Sequence, residues 1–315
     1  MRRRKQRPAR ARPARASAPQ PGTPEALDAA CDAIANRAFA PELPSTLWHY
    51  TTREGLEGIL STRKLWATDY RAQKTDELEF RHADEAILRL AEGLAADETL
   101  SAWHRDRIQV WIGRLRNDPW RNAADRLFIT CFCDAGDSAH MWSTFANEGT
   151  GFAFELVLLR ESFVERNYGL MITQVDYDEE SVTRRLRDIV LKILDTSRAY
   201  HVKDRREADR ITERQLWWVG TKAAVQCKGA KYAPDREWRR VATPRTPALI
   251  LSSAGPRRLE IPLRNGGRVP RVRTIRIGEL APVDAEAQLA EFLAKHGYIG
   301  LAAPRVERVP PRSLR

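Results

Sequence analysis

Cysteine is scarce in this chain. The four residues Cys31, Cys131, Cys133 and Cys227 include no Cys-x-x-Cys pair and no second cluster that could complete a zinc site. The six histidines (His49, His82, His104, His140, His201 and His296) show no paired ligand spacing either, so the expected metal ligand set is none. No run approaches the apolar length of a membrane span. There is no G-x-G-x-x-G or Walker loop and no G-x-S-x-G elbow, which excludes the common dinucleotide, P-loop and serine-hydrolase designs. No internal repeat suggests a solenoid. The expectation is a soluble, cytoplasmic protein without a membrane partner.

What is abundant is arginine, and the formal charge is +11 over 315 residues. Its placement matters more than its size. Residues 1–23 carry eight basic side chains and no acid, and residues 305–315 carry four Arg against Glu307, so residues 24–304 are formally neutral. The body is therefore not a basic nucleic-acid binder. The opening MRRRKQRPARARPARASAPQPG has no apolar segment after its basic start and reads as a disordered basic arm, not as a secretory signal. Such an arm is a candidate contact for nucleic acid. Residues 305–315 read as a basic tail.

The hydrophobic share of 43% is enough for a globular core. Thr23-Pro24 opens a helix through about Ala38, with Leu27, Cys31 and Ile34 at helical spacing. Leu47–Tyr50 reads as a short strand, Thr51 with Glu54 as a capping box, Leu56, Ile59 and Leu60 as the inner face of a helix, and KLWATD as a return strand. Asp76 with Glu79 would open the next helix. RLFITCFC, GTGFAFELVL and GLMITQVDYD are rich in aromatic and β-branched residues and read as strands. A long helical region from about Glu179 to Val219 breaks near Lys203, further strands follow, and Asp284–His296 is a last helix. Strands before and after long helical insertions, without regular alternation, predict an α+β fold with a mixed or antiparallel central sheet. No linker interrupts the body, so residues 24–304 read as one domain.

Several polar residues stand out. His49 lies on a strand between Trp48 and Tyr50, just before a helix N-terminus whose free N–H groups attract anions. The bland alternative is a buried histidine satisfied by a backbone carbonyl. In YAPDREWRRV, Asp235, Glu237 and Arg239 alternate and so share a strand face. Asp76 and Glu79 are three apart and share a helix face. Trp142 precedes Gly149 and Gly151, where the chain can approach another group closely.

Taken in order, LWHYTT…GLEGILSTRKLWAT, TDELEF, HMWSTFANEGTGFAFEL, DREWRRV and IRIGEL…FLAKHGY…VERVPPR resemble an uncharacterised bacterial family, the domain of unknown function DUF2971. Thr75 stands where that family more often has Asn. A strand ending in His-x-Thr, a short helix and a return strand is also similar to the opening of ADP-ribosyltransferase-like folds. That resemblance implies NAD as substrate, held by His49 and Thr51 beside Tyr50, with Tyr70 or Trp142 stacking on nicotinamide. Glu237 would stabilise the ribosyl cation and Asp235 would orient the nucleophile. The implied activity is that of a toxin or phage-defence effector, steered to nucleic acid by its arm. A second reading gathers Asp76, Glu79, Asp235 and Glu237 around a hard cation as a metal-dependent nuclease, although Arg239 stands where such enzymes usually carry Lys. A third is a non-catalytic binding or sensor module.

Overall fold

The computed structural model describes residues 22–39, 42–69, 77–117, 127–157, 168–200, 204–244, 250–251, 258–263, 272–300 and 303–310. Tyr70, Asp76 and residues 1–21 of the expected N-terminal arm lie outside them, as does the side chain of Glu79. The elements in chain order are α1 (Pro24–Phe39), β1 (Thr46–Thr51), α2 (Arg53–Thr62), β2 (Lys64–Asp69), α3 (Glu77–Ala96), α4 (Ala102–Arg116) and β3 (Phe128–Cys133). There follow α5 (Ala139–Phe145), β4 (Phe152–Val157), β5 (Tyr168–Gln174), α6 (Glu179–Ala199), α7 (Arg205–Gln226) and β6 (Glu237–Pro244). The last are β7 (Ile250–Leu251), β8 (Arg258–Pro262), β9 (Val272–Ile277), α8 (Ala285–Lys295) and β10 (Arg305–Arg308). Among the described residues no helix is long and apolar enough to cross a membrane.

Helices form where apolar residues recur every three or four positions and a side chain caps the entrance. In α6 the buried residues Val182, Leu186, Ile189, Val190, Ile193 and Leu194 form one stripe, and Asp178 accepts from the N–H groups of Glu180 and Ser181 at its start. Asp204 caps α7 in the same way through Arg206 and Glu207. At α2 the cap is Thr52, which accepts from Gly55 N, and not the expected Thr51. Thr51 is held in the sheet opposite Phe152, so the helix starts one residue later and the Thr51–Glu54 capping box does not form.

The strands form a mixed, mostly antiparallel sheet in the order β10-β9-β4-β1-β3-β2-β8-β7, with β6 on β3 and β5 on β6. With its helices this makes the fold α+β. The pair β10–β9 is parallel, with Arg305 opposite Thr274 through Arg308 opposite Ile277. Residues 305–308, the start of the expected basic tail, thus form an edge strand. One core joins α1, α3, α4, α6 and α7 to Ile129 of β3 and Val241 of β6. On the other sheet face, Leu56, Ile59 and Leu60 of α2 and Leu289 and Leu293 of α8 pack on Phe128, Phe132, Phe154 and Trp238.

The sheet divides at β3. One edge of β3 pairs with β6 along its whole length, from Phe128 opposite Ala242 to Cys133 opposite Glu237. The other edge is shared: β1 meets it at Cys133 and β2 at Phe128 and Ile129. Between those contacts two side chains bridge the opening. His49 Nδ1 lies 2.9 Å from the Cys131 carbonyl oxygen, and Thr130 Oγ1 donates to the Trp66 carbonyl at 3.2 Å.

Candidate functional site: a buried ion cluster with an exposed histidine

The end of α7 supplies the first charge. Cys227 leaves the helix in an extended conformation and Lys228 N donates to the Asp176 carbonyl, so Lys228 is set down beside the start of β6. A 3₁₀ turn over Ala230–Asp235 follows, ended by Arg236 in the left-handed region (φ 48°, ψ 47°). That conformation is disfavoured for a residue with a Cβ, and Arg236 is held by its own Nε, 2.7 Å from Asp134 Oδ1. The reversal brings Asp235 back against Lys228 just before Glu237 enters the sheet. Asp235 is therefore in the turn and not on the strand, and the expected strand alternation of Asp235, Glu237 and Arg239 holds only for the last two.

Lys228 Nζ donates to Asp235 Oδ2 and Glu237 Oε2, each at 2.7 Å. Arg239 Nε donates to Glu237 Oε1 at 2.8 Å, its Nη2 to Glu237 Oε2 at 3.3 Å, and its Nη1 to the Val225 carbonyl at 2.9 Å. The backbone N–H of Glu237 donates to Tyr177 Oη at 2.8 Å. The side chains of Lys228, Asp235, Glu237 and Arg239 are all under 10% exposed (8%, 5%, 6% and 1%). Burial alone opposes the charge on Lys228, but the Glu237 and Asp235 carboxylates outweigh it and hold its pKa above the ordinary lysine range. Burial also lowers the pKa of Arg239, and the two-point contact with Glu237 keeps the guanidinium charged. Cys131 sits beside Glu237, and burial together with that carboxylate raises its thiol well above the ordinary value, so it is no thiolate nucleophile.

One member reaches solvent. His140, whose side chain is 43% exposed, places Nε2 at 2.6 Å from Asp235 Oδ1. It rides on α5, whose entrance is fixed from β1. Tyr50 Oη donates to the Ala135 carbonyl at 2.8 Å and accepts from Ser138 N at 3.1 Å, while Ser138 caps the helix through Met141 N. Trp142 packs edge-on to Tyr50 (centroids 5.1 Å, 82°) and its indole N–H donates to Asp137 Oδ1 at 2.9 Å. Tyr50 and Trp142 are thus buried supports of the loop and helix that carry His140.

The other expected residues do not join this cluster. Trp48 lies opposite Cys133, and Cys133 opposite Glu237, so these three share a sheet face, and His49, the next residue on β1, points to the other. There its ring meets Phe132 and Phe154 at centroid distances of 5.6 and 5.2 Å. Burial lowers the pKa of His49, partly opposed by the Cys131 carbonyl. The transferase resemblance implies one cofactor held by His49 and Thr51 and acted on by Glu237; the strand registers set the first two on the opposite sheet face from Glu237. Asp235 and Glu237 do not suit a shared cation: each of their four oxygens faces Lys228, Arg239 or His140. Among the described residues no group of three or more His, Cys, Asp or Glu side chains is placed to hold a metal ion.

Sequence reasoning missed Lys228, His140 and Tyr177. Lys228 was detectable as a charge in the apolar stretch AAVQCKGA, and His140 as the neighbour of the Met-Trp pair. Tyr177 acts through one phenol oxygen on a backbone N–H, which leaves no trace in a pattern of residue types. No curated protein and no solved structure matches the chain. Over residues 141–240, a stretch that holds Tyr177, Lys228, Asp235, Glu237 and Arg239 and begins one residue after His140, the chain matches the family described as "Protein of unknown function (DUF2971)".

Proposed function

We propose that the protein is an enzyme working by acid–base catalysis, with His140 as the group that moves the proton. The observation that carries this reading is the contact between a solvent-accessible imidazole and a buried carboxylate at 2.6 Å. An ionised carboxylate only accepts, so Nε2 carries the hydrogen and the neutral ring keeps its lone pair on Nδ1. A fixed tautomer and a fixed ring plane are what a general base needs. Asp235 orients the ring, Lys228 holds Asp235, and Glu237 and Arg239 complete the charge balance beneath it. In this reading Glu237 and Asp235 are positioning residues. The reaction class is hydrolysis or group transfer, in which His140 takes a proton from the attacking water or hydroxyl and returns it to the leaving group.

The test is turnover of NAD, a 4-nitrophenyl phosphodiester and a 4-nitrophenyl carboxylic ester by the full chain and by His140→Gln, which still offers a polar group to Asp235. The expected result is a loss of roughly 10²–10⁴-fold in kcat, with little change in melting temperature. Turnover that survives the substitution overturns the assignment. The non-catalytic binding module is the second reading, favoured by the equal count of buried cations and carboxylates, and absence of turnover on all three substrates supports it.

A further inference from the structure

The entrance of α4 sets a serine against a buried imidazole, away from the ion cluster. Asp97 Oδ1 accepts from Thr99 N at 3.0 Å and Leu100 N donates to the Asp97 carbonyl at 3.1 Å, so the turn that delivers Ser101 is itself fixed. Ser101 caps the helix, its Oγ accepting from His104 N at 3.3 Å. The same Oγ lies 2.9 Å from His104 Nδ1. Ser101 is partly exposed, whereas the side chain of His104 is only 9% exposed. A capping role is complete without the imidazole. At this third helical position Glu or Gln would return a bond to the backbone of the cap, but His104 turns to the hydroxyl.

The surroundings assign the protons. His104 Nε2 makes no hydrogen bond of regular geometry, but Asp195 Oδ1 of α6 stands 3.3 Å from it. A carboxylate at that distance favours the hydrogen on Nε2, which leaves the Nδ1 lone pair to accept from the Ser101 hydroxyl. Burial lowers the pKa of His104, Asp195 opposes it and Arg198 adds to it, so the ring is neutral at pH 7. A hydroxyl within hydrogen-bond reach of a neutral imidazole is the pairing that activates a serine. The N–H groups of Ala102 and Trp103 follow at the start of a 15-residue helix, where such groups lack intrahelical acceptors and favour negative charge. We propose that Ser101 is a nucleophile that takes the acyl group of a carboxylic ester, with His104 as its base. Ser101 Oγ bonds to the carbonyl carbon while its proton passes to His104 Nδ1; the ester C–O bond then breaks and the alcohol leaves with that proton. As a modification site it takes one acyl group per chain, so multiple turnover of an ester remains the test of His140.

The experiment is peptide mapping by mass spectrometry of the full chain exposed to 4-nitrophenyl acetate and quenched in acid at intervals. The expected result is an acetyl group on Ser101, formed at a rate that is level between about pH 7 and 8.5, because a neutral imidazole takes the proton throughout that range. His104→Gln should slow the reaction by roughly 10²-fold or more. His140→Gln should leave it unchanged, so a failure here and a failure of the acid–base reading are told apart. Ser101→Asn keeps a good helix cap, removes the hydroxyl and should abolish the adduct in a folded chain. The pH profile decides the matter if the buried His104 variant fails to fold. No adduct on Ser101, a rate that climbs about tenfold per pH unit as for a lone hydroxyl, or a rate that His104→Gln leaves unchanged overturns the proposal.

Discussion

The two faces of β3 hold their polar groups differently at the division of the sheet. On the His49 face the imidazole sits among Phe132 and Phe154 and answers one backbone carbonyl, while buried Asp69 and Arg240 lie farther along that face, opposite Phe128 and Thr130. On the Glu237 face two cations and two carboxylates are buried together, and only His140 at their edge meets solvent. A neutral ring with one hydrogen bond can stand half-buried among apolar side chains. A charge cannot, because its desolvation must be matched by partners on every lone pair or proton. The second face therefore holds an all-or-nothing cluster, whereas at the division of the sheet the first offers two separable contacts, those of His49 and Thr130. Only the second also offers an oriented titratable group to solvent, which is why the functional reading rests there.

The largest expected effect breaks the closed cluster. Glu237→Ala removes both partners of Arg239's fork and one of Lys228's, leaving buried cations short of counter-charge, and should cost about 3–5 kcal/mol in urea unfolding. A loss under ~1 kcal/mol would mean that water replaces the carboxylate and that the cluster is open. In that event the contrast between the two faces fails.

Much of the fold was legible because its signals are local and repeat. The stripe of α1, the helical run of α6 and the return strand KLWATD each follow from side-chain periodicity or caps that neighbouring residues supply. The site was legible only in part. Asp235, Glu237 and Arg239 were visible as charges in a strand-like segment, but Lys228 and His140 reach them from elsewhere, with His140 95 residues from Asp235 in sequence. The choice between the two readings of His49 was not legible for a related reason. Its partner is a carbonyl 82 residues away, exposed only because the sheet divides there, and no residue pattern records a division in a sheet. β10 was missed because three charged residues around one Val read as part of a basic tail until β9 is there to pair with them.

A middle-sized effect sharpens the His49 side. Burial lowers the pKa of His49, and of His104 as well, so on acidification the unfolded chain takes up protons before the folded one. Their stabilising contribution is complete above pH ~6.5 and is lost as the pH falls from there toward the folded values, by up to ~1.4 kcal/mol per pH unit for each ring. His49→Leu should remove its share of that slope while costing roughly 1–3 kcal/mol at neutral pH through the abandoned Cys131 carbonyl. Urea midpoints at several values between about pH 5 and 7.5 measure both. An unchanged slope in the variant would mean that His49 titrates normally and that its ring is less enclosed than its aromatic neighbours imply.

The smallest effect probes the second bridge across the same opening. Thr130→Val keeps the branched shape on β3 and deletes the hydroxyl that donates to the Trp66 carbonyl, so only one hydrogen bond is lost, about 0.5–1.5 kcal/mol. If the contacts on this face are separable, Thr130→Val combined with His49→Leu should cost the sum of the two single losses. A double variant that loses markedly more would show that the two side chains jointly hold β1 and β2 apart at the division. The two bridges at the division would then be cooperative too, and their difference from the Glu237 cluster would be one of strength and not of kind.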